Sequence, residues 1–230
     1  MTGRPALPAV LWALAQDTLV ETVRALRRHP VAYGGLAVAV ALLILFVDRP
    51  LALWLHGVPA DERWFFRSIN EVGRSGWMFG AAGLCLAVAL VGGWRLWAVR
   101  AGFVIGAVLM GGWVVNVLKL AFARARPRLL VKDGTFDFHF FEISPDWNSF
   151  PSGHSQAIAG FGAALACIWP RFAWVFLGLA VLPAVARMVM LNHYAADVVA
   201  GYATGLTVTY ALARACAARG IGPIKQGENR

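Results

Sequence analysis
The chain has 230 residues, of which 59% are hydrophobic and 14% charged, with ten Trp and a formal net charge of +9. A water-soluble fold of this length has too little interior to bury that much apolar surface, so the composition excludes an ordinary soluble domain and points to the bilayer. The basic residues lie between apolar runs and not along one soluble face, which favours a membrane over a nucleic acid.

Taken in chain order, residues 8–28 come first. Apolar Val10, Leu11, Leu14 and Leu19, followed by Arg24, Arg27 and Arg28, predict an amphipathic helix along the cytoplasmic membrane surface. Six apolar segments follow, over residues 31–47, 77–93, 101–122, 154–169, 172–191 and 194–213. The first stops at Asp48-Arg49-Pro50, the second at Gly92-Gly93 and the fourth at Pro170-Arg171. The fourth and sixth are weakly apolar because they carry Gly, Ser, Thr and one Asp, as buried bundle helices can. The expected fold is all-α: a six-transmembrane-helix bundle (31–213) with an N-terminal amphipathic interfacial segment (1–30) and a basic cytoplasmic tail (214–230). Cys85, Cys167 and Cys216 are odd in number and widely spaced, which argues against a disulfide framework or a zinc site; helix-packing filler fits them better. Gly201-x-x-x-Gly205 permits close helix contact.

Six crossings put both termini on one side. The N-tail, the 94–100 loop, Arg171 and the C-tail together hold eleven basic and three acidic residues; the opposite side holds ten and nine. The positive-inside rule therefore places the termini in the cytoplasm and the segments 48–76, 123–153 and 187–193 outside.

Three polar clusters interrupt the apolar chain: Lys119 with Arg126-Pro127, then Pro151-Ser152-Gly153-His154, then Arg187 with His193 and Asp197. Each falls at a helix end, and alternating topology brings those ends to the outer face. Three cations suit a dianionic phosphate, with Arg as a fork and Lys as a point charge. Pro127 disfavours helix at Arg126 and frees it to swing inward. Ser152 and Gly153 precede a helix start, where backbone N–H groups and the Ser152 hydroxyl offer donors to an anion. His193 and Asp197 are four apart, so they share a helix face. A carboxylate on one imidazole nitrogen leaves the other free to attack. His154 suits the general acid. A lone cation at a helix end more often snorkels to the interface, and a lone Pro-Ser-Gly-His is a common turn. Together, ionisable groups at the bilayer are a functional constellation.

The pattern K-x6-R-P, P-S-G-H, R-x5-H-x3-D resembles the type-2 phosphatidic acid phosphatase superfamily, whose relatives include the soluble vanadium haloperoxidases. It reads here Lys119 to Pro127, Pro151 to His154 and Arg187 to Asp197. The resemblance implies a metal-independent lipid phosphatase with no cofactor. His193 would be the nucleophile that forms a phosphohistidine, Asp197 its support and His154 the acid. Lys119, Arg126, Ser152, Gly153 and Arg187 would hold the phosphate. The expected setting is a bacterial inner membrane with the site facing the periplasm, the bilayer and a lipid phosphate as partners, and no obligate protein partner. Phe136, Phe138, Phe140, Phe141, Trp147 and Phe150 suit a headgroup-level lipid entrance or simply an interfacial belt. Undecaprenyl diphosphate, phosphatidylglycerol phosphate, phosphatidic acid and a lipid A phosphate all fit such a site, with an isoprenoid or glycerolipid phosphate ahead of lipid A. A lipid phosphotransferase and a non-enzymatic lipid or anion transporter are the rival readings.

Overall fold
The computed structural model describes residues 6–59 and 61–222, so the extreme N-terminus and the last eight residues of the basic tail lie outside the described residues. The described residues are helical, joined by loops. In order they form α1 (Leu7–Arg28), α2 (Pro30–Leu42), α3 (Asp48–His56), α4 (Trp64–Val72), α5 (Ser75–Val91), α6 (Arg95–Phe122), α7 (Pro127–Asp133), α8 (Gly153–Ile168), α9 (Ala173–Val189) and α10 (Ala195–Ala218).

Four helical stretches are long and apolar enough to cross a membrane: Pro30–His56, Trp64–Val91, Arg95–Phe122 and Pro170–Val189. They make this a multi-pass membrane protein. The other two expected crossings correspond to α8 and α10, which fall short by that measure. They are the middle of the bundle: α10 packs against α8, α6 and α1, and α8 against α9 and α6. Helices shielded from lipid by their neighbours can carry small and polar residues.

Several boundaries differ from the sequence expectation. The first apolar segment continues past Asp48-Arg49-Pro50 to His56, through a π-helical turn at Leu43–Val47. Pro50 lies just after that π-helical turn, the kind of local irregularity that accompanies proline within a continuing helix. The segment 48–76, expected as an outward connection, is thus mostly helical. The 94–100 loop is also helix, the first turns of α6. Arg100 stays buried there because its guanidinium lies over the rings of Trp97 and Trp169, 5.3 and 5.7 Å from their centroids.

The N-terminal segment is helical from Leu7 to Arg28, and this helix, α1, docks on α10, burying Thr18 and Ala25. Arg214 Nε donates to Glu21 at 3.0 Å and Arg219 Nε to Asp17 at 2.6 Å. The core is made of small side chains: Ala82, Ala107, Ala164 and Cys216 pack with Phe103, Val104, Ile168 and Leu212. Cys216 is the expected apolar filler. Small residues bring backbones close, and Gly201 and Gly205 take this furthest. A Cβ on Gly201 would lie 2.2 Å from the Ser152 carbonyl oxygen, and one on Gly205 2.5 Å from that of Gln156. The N-terminal ends of α8 and α10 therefore touch backbone to backbone, and Ser152 N–H donates to the Asp197 carbonyl at 2.9 Å. That contact registers the helix carrying His154 against the one that follows His193.

Candidate active site
The C-terminal end of α6 and the extended segment behind it supply the first cations. The helix ends at Phe122 because Ala123 turns left-handed (φ 39°). Residues 124–126 then run extended, and Arg126 adopts φ −76°, ψ 155°, as a residue before proline should. Lys119 Nζ donates to the Asn148 carbonyl at 2.7 Å. Arg126 reaches the same carbonyl through Nη2 at 3.3 Å and the Asn192 carbonyl through Nη1 at 3.3 Å. Arg187, near the end of α9, is buried and donates Nη1 to Asn70 Oδ1 at 2.7 Å. Its Nε is buried without a hydrogen-bond partner among the described residues, a donor available to an anion.

His193 sits in the turn before α10 and is 3% exposed. Its Nδ1 lies 2.8 Å from the Ser149 carbonyl oxygen. A carbonyl can only accept, so Nδ1 carries the proton and Nε2 keeps a free lone pair. Burial, reinforced by the charges of Lys119 and Arg187 and opposed by Asp197, lowers the His193 pKa to about 3. The ring is therefore neutral at physiological pH. His154, one residue into α8, lies within electrostatic range of Arg187, Lys119 and Arg126. The two imidazoles thus share the same cations at one end of the bundle.

The expected His193–Asp197 pair is looser than its spacing suggests: Nδ1 to Oδ2 is 3.6 Å. Asp197 is saturated by other donors. Arg124 Nη1 reaches Oδ1 at 2.7 Å, while Ser149 Oγ and Tyr194 N reach Oδ2 at 2.5 and 2.9 Å. Ser149 is the link, since its hydroxyl donates to Asp197 and its carbonyl holds His193. Arg124 also pairs with Asp48 at 2.9 Å, and Asp48 accepts the Ala196 N–H at 3.0 Å. This Asp48–Arg124–Asp197 chain is wholly buried.

Ser152 is placed at the site but occupied as a cap. Its Oγ accepts from Ser155 N at 3.3 Å and Ser155 Oγ at 2.9 Å, and it is fully buried. Gly153 and His154 line a cavity of about 630 Å³ whose other walls include Phe79, Val108, Leu109 and Trp113. A second chamber of about 320 Å³ is floored by Lys119 and Arg126, and the two adjoin at Asn116. Sequence reasoning missed Arg124, Asp48, Ser149, Asn148 and Asn70. Arg124 occupies one of the unspecified positions of K-x6-R-P, and Asp48 in sequence reads as a helix stop. Only the cost of a charge among apolar segments could have flagged them.

The aromatic-rich segment splits by role. Phe136, Phe138 and Tyr194 wrap the Arg124 guanidinium at 5.1, 5.3 and 4.2 Å. Phe150 packs on Phe122, and Trp147 stacks on His139 at 3.8 Å. Phe140 and Phe141 remain 64% and 70% exposed.

Fold and site define a multi-pass, all-helical membrane protein with cations and imidazoles gathered at one mouth of its bundle. Residues 97–220, more than half the chain, match the family model of the PAP2 superfamily, and the chain belongs to that superfamily. It is 32% identical to a lipid A 1-phosphatase of Rhizobium etli over 183 residues, covering 73% of this chain and 76% of that protein. A lipid A 1-phosphatase of Rhizobium johnstonii is 39% identical over 92 residues, 40% of this chain and 38% of that one. The fold resembles the crystal structure of a transmembrane PAP2-type phosphatidylglycerolphosphate phosphatase from Bacillus subtilis. The TM-score is 0.58 at 20% identity, covering 80% of this chain and 93% of that one.

Proposed function
We propose that this protein is a lipid phosphatase that removes a phosphomonoester from a lipid A-type glycolipid, at the periplasmic face of a bacterial inner membrane. The observation that carries the chemistry is the Nδ1-protonated His193, with its free Nε2 in a cation-lined site. The two lipid A 1-phosphatase relatives move the substrate from the isoprenoid and glycerolipid phosphates favoured by sequence towards a sugar phosphate.

Nε2 of His193 attacks phosphorus in line, and the bond from phosphorus to the lipid oxygen breaks. His154 gives its proton to the departing oxygen. Lys119, Arg126 and Arg187 hold the phosphoryl oxygens, with Arg187 Nε as a ready donor. Water then attacks the phosphohistidine while His154 takes its proton. The P–N bond breaks, phosphate leaves and Nε2 regains its lone pair. The apolar walls of the 630 Å³ cavity, Phe79, Val108, Leu109 and Trp113, suit the acyl chains. In this reading the chain crosses six times, with α8 and α10 as shielded spans, α1 on the inner surface and both termini cytoplasmic; the positive-inside rule supports that orientation, with this mouth outside.

His193→Ala should abolish phosphate release from lipid A in detergent while the protein still purifies as a folded monodisperse species. The assay contains chelator, and labelled lipid acceptors in the same mixture report any phosphotransfer in place of hydrolysis. Turnover by the variant at the wild-type rate rules out the nucleophile assignment.

A further inference from the structure
The chamber floored by Lys119 and Arg126 is larger than a phosphate requires, and the rest of its lining has a different chemistry. Its walls include Asn116, Glu142, Ser144 and Asn148. One of these is a buried hydrogen-bond acceptor lacking a donor, and another is a solvent-exposed carboxylate. Asn148 Oδ1 is buried with no partner among the described residues. The Glu142 side chain is exposed to solvent and makes no hydrogen bond or ion pair among the described residues, although it shares the chamber with Lys119 and Arg126. Asn148 Oδ1, a buried acceptor without a donor, is costly and points to a ligand that brings one, while the solvated Glu142 carboxylate offers a second acceptor on the same wall. A phosphate dianion cannot, because it only accepts. A second phosphate next to the first would moreover meet the Glu142 carboxylate.

The wall that carries Glu142 is stiff. Trp147 stacks on His139, Arg126 Nε donates to the Pro145 carbonyl at 2.8 Å, and Arg128 pairs with Asp146. Beside Glu142, Phe141 and Ile143 are 70% and 87% exposed, which sets this wall at the depth of lipid headgroups. About 320 Å³ lies at the lower end of small-ligand pockets.

We infer that this chamber is a saccharide subsite: it takes the hydroxyl- and amide-bearing sugar that carries the scissile phosphate, with Glu142 and Asn148 Oδ1 accepting its O–H and N–H groups. The inference rests on the phosphatase reading above and adds the feature that separates a glycolipid phosphate from a phosphate borne directly on diacylglycerol or a prenyl chain. Glu142 is a specificity residue that touches the sugar and leaves the phosphoryl step alone.

The test uses the full-length protein in detergent with lipid A and phosphatidic acid as parallel substrates. Glu142→Ala should lower kcat/KM on lipid A roughly tenfold or more, as expected for loss of a charge-assisted hydrogen bond, mainly through KM. Hydrolysis of phosphatidic acid should stay within about twofold, because that lipid has no sugar to lose. Glu142→Gln, which keeps an acceptor oxygen, should recover part of the loss. Glucosamine 1-phosphate should inhibit the wild type more strongly than glycerol 3-phosphate, and Glu142→Ala should erase that difference. Equal losses on both lipids, or unchanged lipid A kinetics in Glu142→Ala, overturn the subsite. Wild-type enzyme that cleaves phosphatidic acid but not lipid A overturns the subsite and leaves the phosphatase standing. Wild-type enzyme that cleaves neither overturns both.

Discussion
Arg124 shows how one side chain can organise a site without facing its mouth. It is 1% exposed and forks between Asp48 and Asp197, with three aromatic rings over the guanidinium. Its backbone carbonyl also accepts Ser149 N–H at 3.0 Å, so it steadies the residue that holds His193. Removing one member of a buried ionic network strands the others, at about 3–5 kcal/mol. Arg124→Met should therefore lower the unfolding midpoint in detergent strongly and reduce kcat. Arg124→Lys should fall between, since a point charge cannot fork to two carboxylates. A thermal melt and turnover of Arg124→Met that match the wild type would remove the residue from this role. The His193 pKa makes a second residue-scale prediction. At pH 5 an ordinary imidazole with a pKa of 6.5 is about 97% protonated; His193, held near 3, stays neutral. Phosphoenzyme formation, read by alkaline quench, should thus retain most of its neutral-pH amplitude at pH 5. Between about pH 6.5 and 3 the unfolded chain binds a proton that the folded chain does not. The stability from this burial is complete above that window and is eroded as pH falls through it.

At the scale of elements, the contact between α8 and α10 sets the geometry. His154 opens one helix and His193 precedes the other, so their relation is only as fixed as that crossing. Gly201 and Gly205 allow it because their missing side chains would overlap the Ser152 and Gln156 carbonyls. Backbone cannot yield as a flexible side chain can. Gly201→Val should force the helices apart at about 1–3 kcal/mol and lower kcat more than its loss of stability explains. Comparing the melting midpoint with phosphate release at a temperature where the variant is folded checks this. Gly205→Ala meets the Gln156 carbonyl and Ala159 and should act in the same direction. The end of α6 matters similarly, since the left-handed Ala123 and the extended 124–126 turn Arg124 and Arg126 away from the helix they follow.

For the whole molecule, apolar segments and charge spacing made the helical class, the family motifs and the clustering of Lys119, Arg126, His154, Arg187, His193 and Asp197 legible in advance. These are local signals: hydropathy marks a helix, proline and glycine mark its ends, and a charge between apolar runs marks a site. The length of the first span and the start of α6 were not legible, because Asp48 and Arg100 read as boundaries until a partner is known. Asp48 is tolerated beside Arg124, and Arg100 beside Trp97 and Trp169. The sequence by itself determined which cationic and imidazole side chains are available for the proposed phosphate chemistry, and at which helix ends they stand. Only the tertiary structure decided that Ser149, and not Asp197, directly orients His193. It also decided that Ser152 is spent on a cap and that Glu142 and Asn148 border the cation floor. Such choices depend on hydrogen bonds between segments far apart in the chain, whose partners are set by packing and not by spacing.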